Sequence, residues 1–172
     1  MIATTLTEKS AAMISYEVDH LGVVVPDLDA AAAFYRDVLG CSVSERVVPE
    51  GQGVAVMFVP FRNLRVELIA PIVDRSPIAH LLEDHTVNDF LARHSSGGLH
   101  HVCYVVDELD TVRDRLRASG HRVLGTGEPI IGAGGQPILF LDPRSASGTL
   151  IELKQRAKPI GGRTGEPMAE VT

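Results

Sequence analysis

The chain carries one pattern twice. The stretch "DHLGVVVPDLDAAAAFYRDVLG" opens at Asp19 and "HHVCYVVDELDTVRDRLRASG" opens at His100. With an offset of 81 residues, His20 falls on His101, Leu28 on Leu109 and Asp29 on Asp110. A duplication limits the fold more than any single motif does, because each half must be a supersecondary unit that completes its core against its neighbour. Each half begins with a β-branched run, Val23–Val25 and Val102–Val106, which predicts a strand. Acidic residues of capping type follow, Asp27-Leu-Asp29 and Asp107-Glu-Leu-Asp110, and lead into a helix. Leu28, Ala32, Tyr35 and Leu39 share one apolar stripe in the first helix; Leu109, Val112 and Leu116 share one in the second. Gly40 and Gly120 end the two helices.

Three more strand-like runs follow each helix. They are Ser42–Val48, Val54–Pro60 and Leu64–Ile69, then Arg122–Leu124, Pro137–Leu141 and Thr149–Leu153, joined by turn-rich links such as "PEGQG", "GAGGQ" and "DPRSASG". The expectation is an α+β domain of two βαβββ modules over residues 16–155, with module one at 16–80 and module two at 97–155. Between them "SPIAHLLED" predicts a short helix, with Ser76 as N-cap and Pro77 at the first position. Residues 1–15 and 156–172 hold little that can pack and are expected to be flexible.

At 172 residues and 45% hydrophobic content there is material for one real core. A net charge of −6 with no basic stripe speaks against a nucleic-acid partner. No apolar run approaches the roughly 18–20 residues of a membrane span, so no membrane partner is expected. Two cysteines, Cys41 and Cys103, cannot form a disulfide framework and suit buried positions in a reducing, cytoplasmic setting.

Duplication turns isolated polar residues into pairs. The last strands of the two modules, "LRVELIAP" and "GTLIELKQ", each carry a lone glutamate in an apolar run, Glu67 and Glu152. Such a carboxylate is costly unless paired or coordinated. His20 and His101 open the first strand of each module, so two imidazoles and two carboxylates stand at matching places. That donor set suits Zn, Co, Ni, Mn or Fe(II), and four protein ligands leave two open octahedral positions. Strand alternation puts His100 on the face opposite His101, as a hydrogen-bonded structural residue. His80, His85, His94 and His121 fall in helical or loop contexts and are expected in solvent.

These residues and motifs resemble the vicinal oxygen chelate (glyoxalase/dioxygenase) superfamily. "SPIA", "LHHV" and "GAGGQPILFLDP" are similar to the methylmalonyl-CoA epimerase branch, and the resemblance runs from about Asp19 to Leu153. It implies that the modules curl into an open, cup-shaped mixed sheet with a divalent ion held by His20, Glu67, His101 and Glu152. It further implies a homodimer and a small-molecule substrate of the acyl-CoA class whose α-proton is moved through an enolate, the ion meeting the charge on the thioester oxygen. Two acid–base groups on opposite faces would complete the transfer. Glu50, in "VPEGQGVAV", matches the branch's loop glutamate, with an added glycine behind it; Glu152 is the other candidate, as a ligand carboxylate that leaves the ion. Asp142 and Arg144 stand where the branch has histidine and lysine, within reach of the anionic groups of an acyl-CoA. "DHTVNDFLARHSSGG" suggests an added helical turn or lid through Phe90 and Leu91. A glyoxalase-type lyase and a non-catalytic binder in the same cup are the alternatives.

Overall fold

The computed structural model describes residues 14–157, so the expected flexible ends lie largely outside the described residues. Seven strands form one sheet in the order β2-β3-β1-β4-β7-β6-β5. They are β1 (Glu17–Val24), β2 (Val54–Pro60), β3 (Arg65–Pro71), β4 (Gly98–Val106), β5 (Ile130–Ile131), β6 (Pro137–Leu141) and β7 (Leu150–Gln155). β1 and β4 run antiparallel at the centre, and each has the last strand of its own module parallel on its outer side, β3 and β7. The sheet curls into a half-barrel, α+β as the duplication requires, and the modules meet along the β1–β4 seam.

Helix α1 (Leu28–Ala33) is capped by Asp27, whose carboxylate accepts from the Ala30 amide at 3.0 Å. It packs Leu28 against Ala55, Val59, Val66 and Leu68 on the convex face and also buries Ala32. The helix then widens into a π-helical turn at Phe34–Val38, which rotates Leu39 out of the expected stripe and leaves it 52% exposed. Helix α4 (Leu109–Ala118) does the same work in module two, with Leu109 and Val112 packed on Val106, Leu139 and Leu153. Gly40 and Gly120 sit at φ 68 and 75, the left-handed conformation that ends a helix without a Cβ penalty.

Two expected strands are reduced to bridges. Residues 42–48 meet β2 through the Val47–Val56 bridge and a Ser44–Phe58 contact, the Ser44 amide on the Phe58 carbonyl and the Phe58 amide on Ser44 Oγ. Residues 122–124 meet β6 through the Val123–Leu141 bridge and the Leu124 amide on the Phe140 carbonyl. Short stretches with no further neighbour cannot sustain a ladder at a sheet edge.

The link between modules is more elaborate than expected. Ser76 does not cap it: α2 (Ala79–Leu82) begins later, and the Ser76 carbonyl accepts from the Ala79 amide at 3.2 Å. Helix α3 (Val87–Arg93) confirms the added helical turn, with Thr86 as N-cap accepting from the Asp89 amide. Phe90 and Leu91 pack beside Val24, Val54, Val56, Ile69 and Val87, so α3 closes one end of the cup as a wall and not as a lid. Among the described residues no helix is long and apolar enough to cross a membrane.

Candidate metal centre

Strand register arranges the site. Arg65 of β3, His20 of β1, Cys103 of β4 and Glu152 of β7 lie in one row across the sheet; Glu67, Gly22, His101 and Leu150 lie in the next. Each strand contributes residues two apart, which share a face. The pseudo-twofold between modules exchanges His20 with His101, Glu67 with Glu152, and Gly22 with Cys103. All four expected ligands are buried on the concave face.

Their donor atoms converge. His20 Nε2 and His101 Nε2 are 3.2 Å apart. Glu67 Oε2 lies 3.2 Å from His20 Nε2 and 3.7 Å from His101 Nε2; Glu152 Oε2 lies 3.3 Å from His101 Nε2 and 3.9 Å from His20 Nε2. The distances repeat as the duplication demands. Donors bound to one ion at about 2.1 Å stand roughly 3.0–3.4 Å apart in octahedral or tetrahedral geometry, so the set is close to a coordination shell.

Two β-bulges decide what the histidines can do. Between Val18 and His20 on β1, and between Leu99 and His101 on β4, one extra residue sits opposite a single gap in the partner strand. The extra residues are Asp19 and His100, which occupy equivalent places in the repeat. Asp19 Oδ2 lies 2.8 Å from His20 Nδ1, so Nδ1 carries the hydrogen and a neutral His20 presents the Nε2 lone pair inward. On the other side His100 Nε2 lies 2.9 Å from the His85 carbonyl and must donate to it. His100 Nδ1 then accepts from His101 Nδ1 at 3.0 Å, which again leaves His101 Nε2 as a lone pair. His100 therefore shares the concave side with His101. Strand alternation placed it on the opposite face, and the bulge overturns that expectation.

Two facing lone pairs beside two carboxylates cannot satisfy one another, and the donor set fits a divalent cation. Without an ion, a proton on His20 takes the cation's place among these acceptors. Burial works to lower the His20 pKa, but hydrogen bonds with Asp19, Cys103 and Glu67 and the charge of Glu152 push it up to about 12. Burial works to raise the Glu152 pKa, and the His101 hydrogen bond and charge outweigh it to hold the pKa down. Burial and the neighbouring His101 push His100 down to about 3, which keeps its ring neutral in the relay. A second cluster, Asp19, His20 and Cys103, is a weaker cation site. Asp19 Oδ2 already accepts from Arg65 Nη2 at 2.5 Å and Lys154 Nζ at 3.0 Å.

Small residues seat the rings. A Cβ on Gly22 would fall 2.2 Å from His101 Cε1, so only glycine leaves room for that ring. Cys103 is no mere apolar filler: its thiol donates to Glu152 Oε1 at 3.4 Å and so leaves Oε2 turned to the imidazoles. Burial pushes its pKa up to about 12, so it stays a thiol. Cys41 is half-buried beside Leu28.

The cup around these groups opens onto about 810 Å³ of space, part of it continuous with bulk solvent. Glu50 does not line it. It lies exposed on the turn before β2, and Gln52 reaches the cup instead, donating to the Ile131 carbonyl at 2.8 Å across the two sheet edges. The extra glycine, Gly51 at φ 71, turns the chain between them. Asp142 and Arg144 also lie outside the lining. Asp142 is fully buried, bonded to Arg144 at 2.8 Å and Arg122 at 2.6 Å, while Arg122 also holds Glu83 of the link. The expected anion contact is thus an internal brace between link and module two. His80, His94 and His121 are exposed as expected; His85 is half-buried and its carbonyl anchors the relay. The sequence reading passed over Asp19, Gly22, Arg65 and Lys154. For Asp19 the available signal was its equivalence to His100 in the repeat.

Comparison with known proteins agrees with this architecture. The Glyoxalase/Bleomycin resistance protein/Dioxygenase superfamily matches residues 19–140. An ethylmalonyl-CoA/methylmalonyl-CoA epimerase of Cereibacter sphaeroides is 44% identical over 137 residues, which is 80% of this chain and 96% of that protein. The mitochondrial methylmalonyl-CoA epimerase of Homo sapiens is 40% identical over 80% of this chain and 72% of its own. Among solved structures, methylmalonyl-CoA epimerase from Mycobacterium tuberculosis superposes with a TM-score of 0.71 at 28% identity, covering 92% of this chain and 94% of that one. A methylmalonyl-CoA epimerase in complex with methylmalonyl-CoA and NH4+ superposes at 0.70 with 31% identity, covering 82% and 94%. Duplicated halves that share one cup, and a match spanning both of them, establish that the chain belongs to the Glyoxalase/Bleomycin resistance protein/Dioxygenase superfamily.

Proposed function

We propose that this chain is a divalent-metal-dependent epimerase that inverts the α-carbon of a methylmalonyl-CoA-like acyl-CoA. The observation that carries the reading is the pair of dyad-related carboxylates, Glu67 and Glu152, standing on either side of two facing imidazoles. An ion held by His20, Glu67, His101 and Glu152, of the Co, Mn, Ni, Zn or Fe(II) class, would supply Lewis-acid stabilisation to negative charge on the thioester oxygen. Asp19 and His100 hold the two rings in the tautomer that the ion needs. Epimerisation removes a proton from one face of the α-carbon and returns one to the other, so it needs two bases on opposite sides. Glu152 takes the proton on one side. With Glu50 exposed on its turn, Glu67 is the group that stands across from Glu152. The Cys103 thiol donates to Glu152 Oε1 and would steady that carboxylate as it swings off the ion to take the proton. A homodimer and a cytoplasmic setting are proposed on family likeness and composition alone.

The test is α-proton exchange. Metal-loaded protein and methylmalonyl-CoA are incubated in deuterated water and the α-proton is followed by NMR. Exchange well above a chelator-treated control is expected. Exchange no faster than that control, with turnover of a glutathione–methylglyoxal adduct, would replace the epimerase reading by a glyoxalase one.

A further inference from the structure

The two-fold symmetry of the site breaks at its flanks. Two residues before each glutamate stand Arg65 and Leu150; two residues after each stand Ile69 and Lys154. Register puts Arg65 and Lys154 at the same end of the cup, because β3 and β7 run in opposite directions. One flank is therefore cationic. The other is apolar, with Ile69 lining the cup beside Ile78, Leu82 and Val87, and Leu150 buried against Leu82 and Leu124.

Both cations bond one oxygen, Asp19 Oδ2, and among the described residues neither has another hydrogen-bond partner. An ammonium has three donors and a guanidinium five, so most remain unused beside the cup. Arg65 is held in place over the Phe58 ring, 5.0 Å from its centroid. Lys154 is only 13% exposed and lines the cup. With a divalent ion among Glu67 and Glu152, and Asp19 shared by two cations, the site carries one surplus positive charge.

We propose that Arg65 and Lys154 read the free carboxylate of the substrate and so fix which way round it lies in an otherwise symmetric site. The inference rests on the epimerase reading above. A malonyl-type thioester offers two oxygens of unequal charge, one carboxylate and one thioester carbonyl. Without a flanking bias the two could exchange places by the pseudo-twofold. With the carboxylate drawn to the Arg65–Lys154 flank, the thioester falls toward the apolar flank. Each glutamate then always meets the same face of the α-carbon, and each serves the proton of one epimer.

Arg65→Leu and Lys154→Ile give each flank the residue of its counterpart. Calorimetry on the metal-loaded proteins compares methylmalonyl-CoA with 2-methylacetoacetyl-CoA, a neutral analogue that carries a ketone in place of the carboxylate. Losing a charge-assisted hydrogen bond weakens binding by roughly ten- to a hundredfold. That loss is expected for methylmalonyl-CoA, while the ketone changes less than about threefold, metal content is unchanged and Lys154→Arg recovers most of the affinity. Equal weakening of both ligands would overturn the proposal, as would no weakening of either. Loss of the ion in both variants would also overturn it, since the cations would then serve only to hold Asp19 and His20. Binding is read without turnover, so a failed exchange assay in wild-type protein refutes the epimerase reading separately from this one.

Discussion

Gly22→Ala is a single added methyl group with an outsized expected effect. The new Cβ would lie 2.2 Å from His101 Cε1, 2.4 Å from Nδ1 and 2.6 Å from Nε2. Reaching ordinary contact near 3.4 Å forces the ring back by about 1.2 Å. Metal–ligand distances tolerate deviations of only about 0.2 Å, so His101 Nε2 leaves the coordination shell and its bond with His100 breaks as well. Disturbing a partner of a ligand costs roughly 10–100-fold in metal affinity, and displacing the ligand itself should cost at least that upper figure. Folding should suffer less. Gly22 has no left-handed backbone to strain, alanine gains about 0.4–1 kcal/mol through the unfolded chain, and overpacking costs about 1–3 kcal/mol. The net loss is then no more than about 2–3 kcal/mol. Calorimetric titration with Co(II) or Mn(II), alongside urea unfolding of the metal-free protein, separates the two effects. Metal affinity equal to wild type in a folded Gly22→Ala protein would refute this account of how the ring is seated.

Other substitutions probe other parts of the site. His100→Phe removes the acceptor for His101 Nδ1–H and should weaken metal binding roughly 10–100-fold, read by the same titration. Glu67→Gln keeps an oxygen ligand but no base; the ion should stay while α-proton exchange falls by about 10²–10⁴, followed by NMR in deuterated water. Glu50→Gln should change exchange by less than about twofold, as expected for an exposed turn residue. Asp142→Asn should cost about 1–3 kcal/mol in urea unfolding by loosening the brace to Arg122 and Arg144. The Arg144 hydrogen bonds, against burial and with help from Arg122, hold the Asp142 carboxyl well below its ordinary 3.8. Its stabilisation is therefore complete above about pH 4 and is lost as pH falls further; Asp142→Asn should lose that part of the acid sensitivity while wild type keeps it.

The duplication made the fold and the four converging side chains legible, because equivalent positions in two modules must meet at the seam. What stayed hidden came from local departures from the repeat. Alternation assigns faces by counting residues, and an inserted residue in a strand breaks the count; Asp19 and His100 are both such insertions. Once the bulges are known, the polar residue before each proposed ligand histidine reads as its orienting partner. Glu50 was misplaced for a similar reason, since Gly51 adds a turn that leaves Gln52 facing the cup. Gly22 and Cys103 gave no sign in one dimension, as their role is set by a ring or carboxylate from the neighbouring strand. Arg144 looked like an anion contact, and Asp142 like a charge facing the acyl-CoA, because Arg122, the second cation on Asp142, is 20 residues away in sequence.

The central claim is that both halves of the chain give one imidazole and one carboxylate to the same ion. Anomalous diffraction from a crystal loaded with Co(II) tests it directly. The account predicts one strong peak about 2.0–2.2 Å from His20 Nε2, His101 Nε2 and one oxygen each of Glu67 and Glu152. A peak on Asp19 and Cys103, or one that involves ligands from a single module, would contradict it.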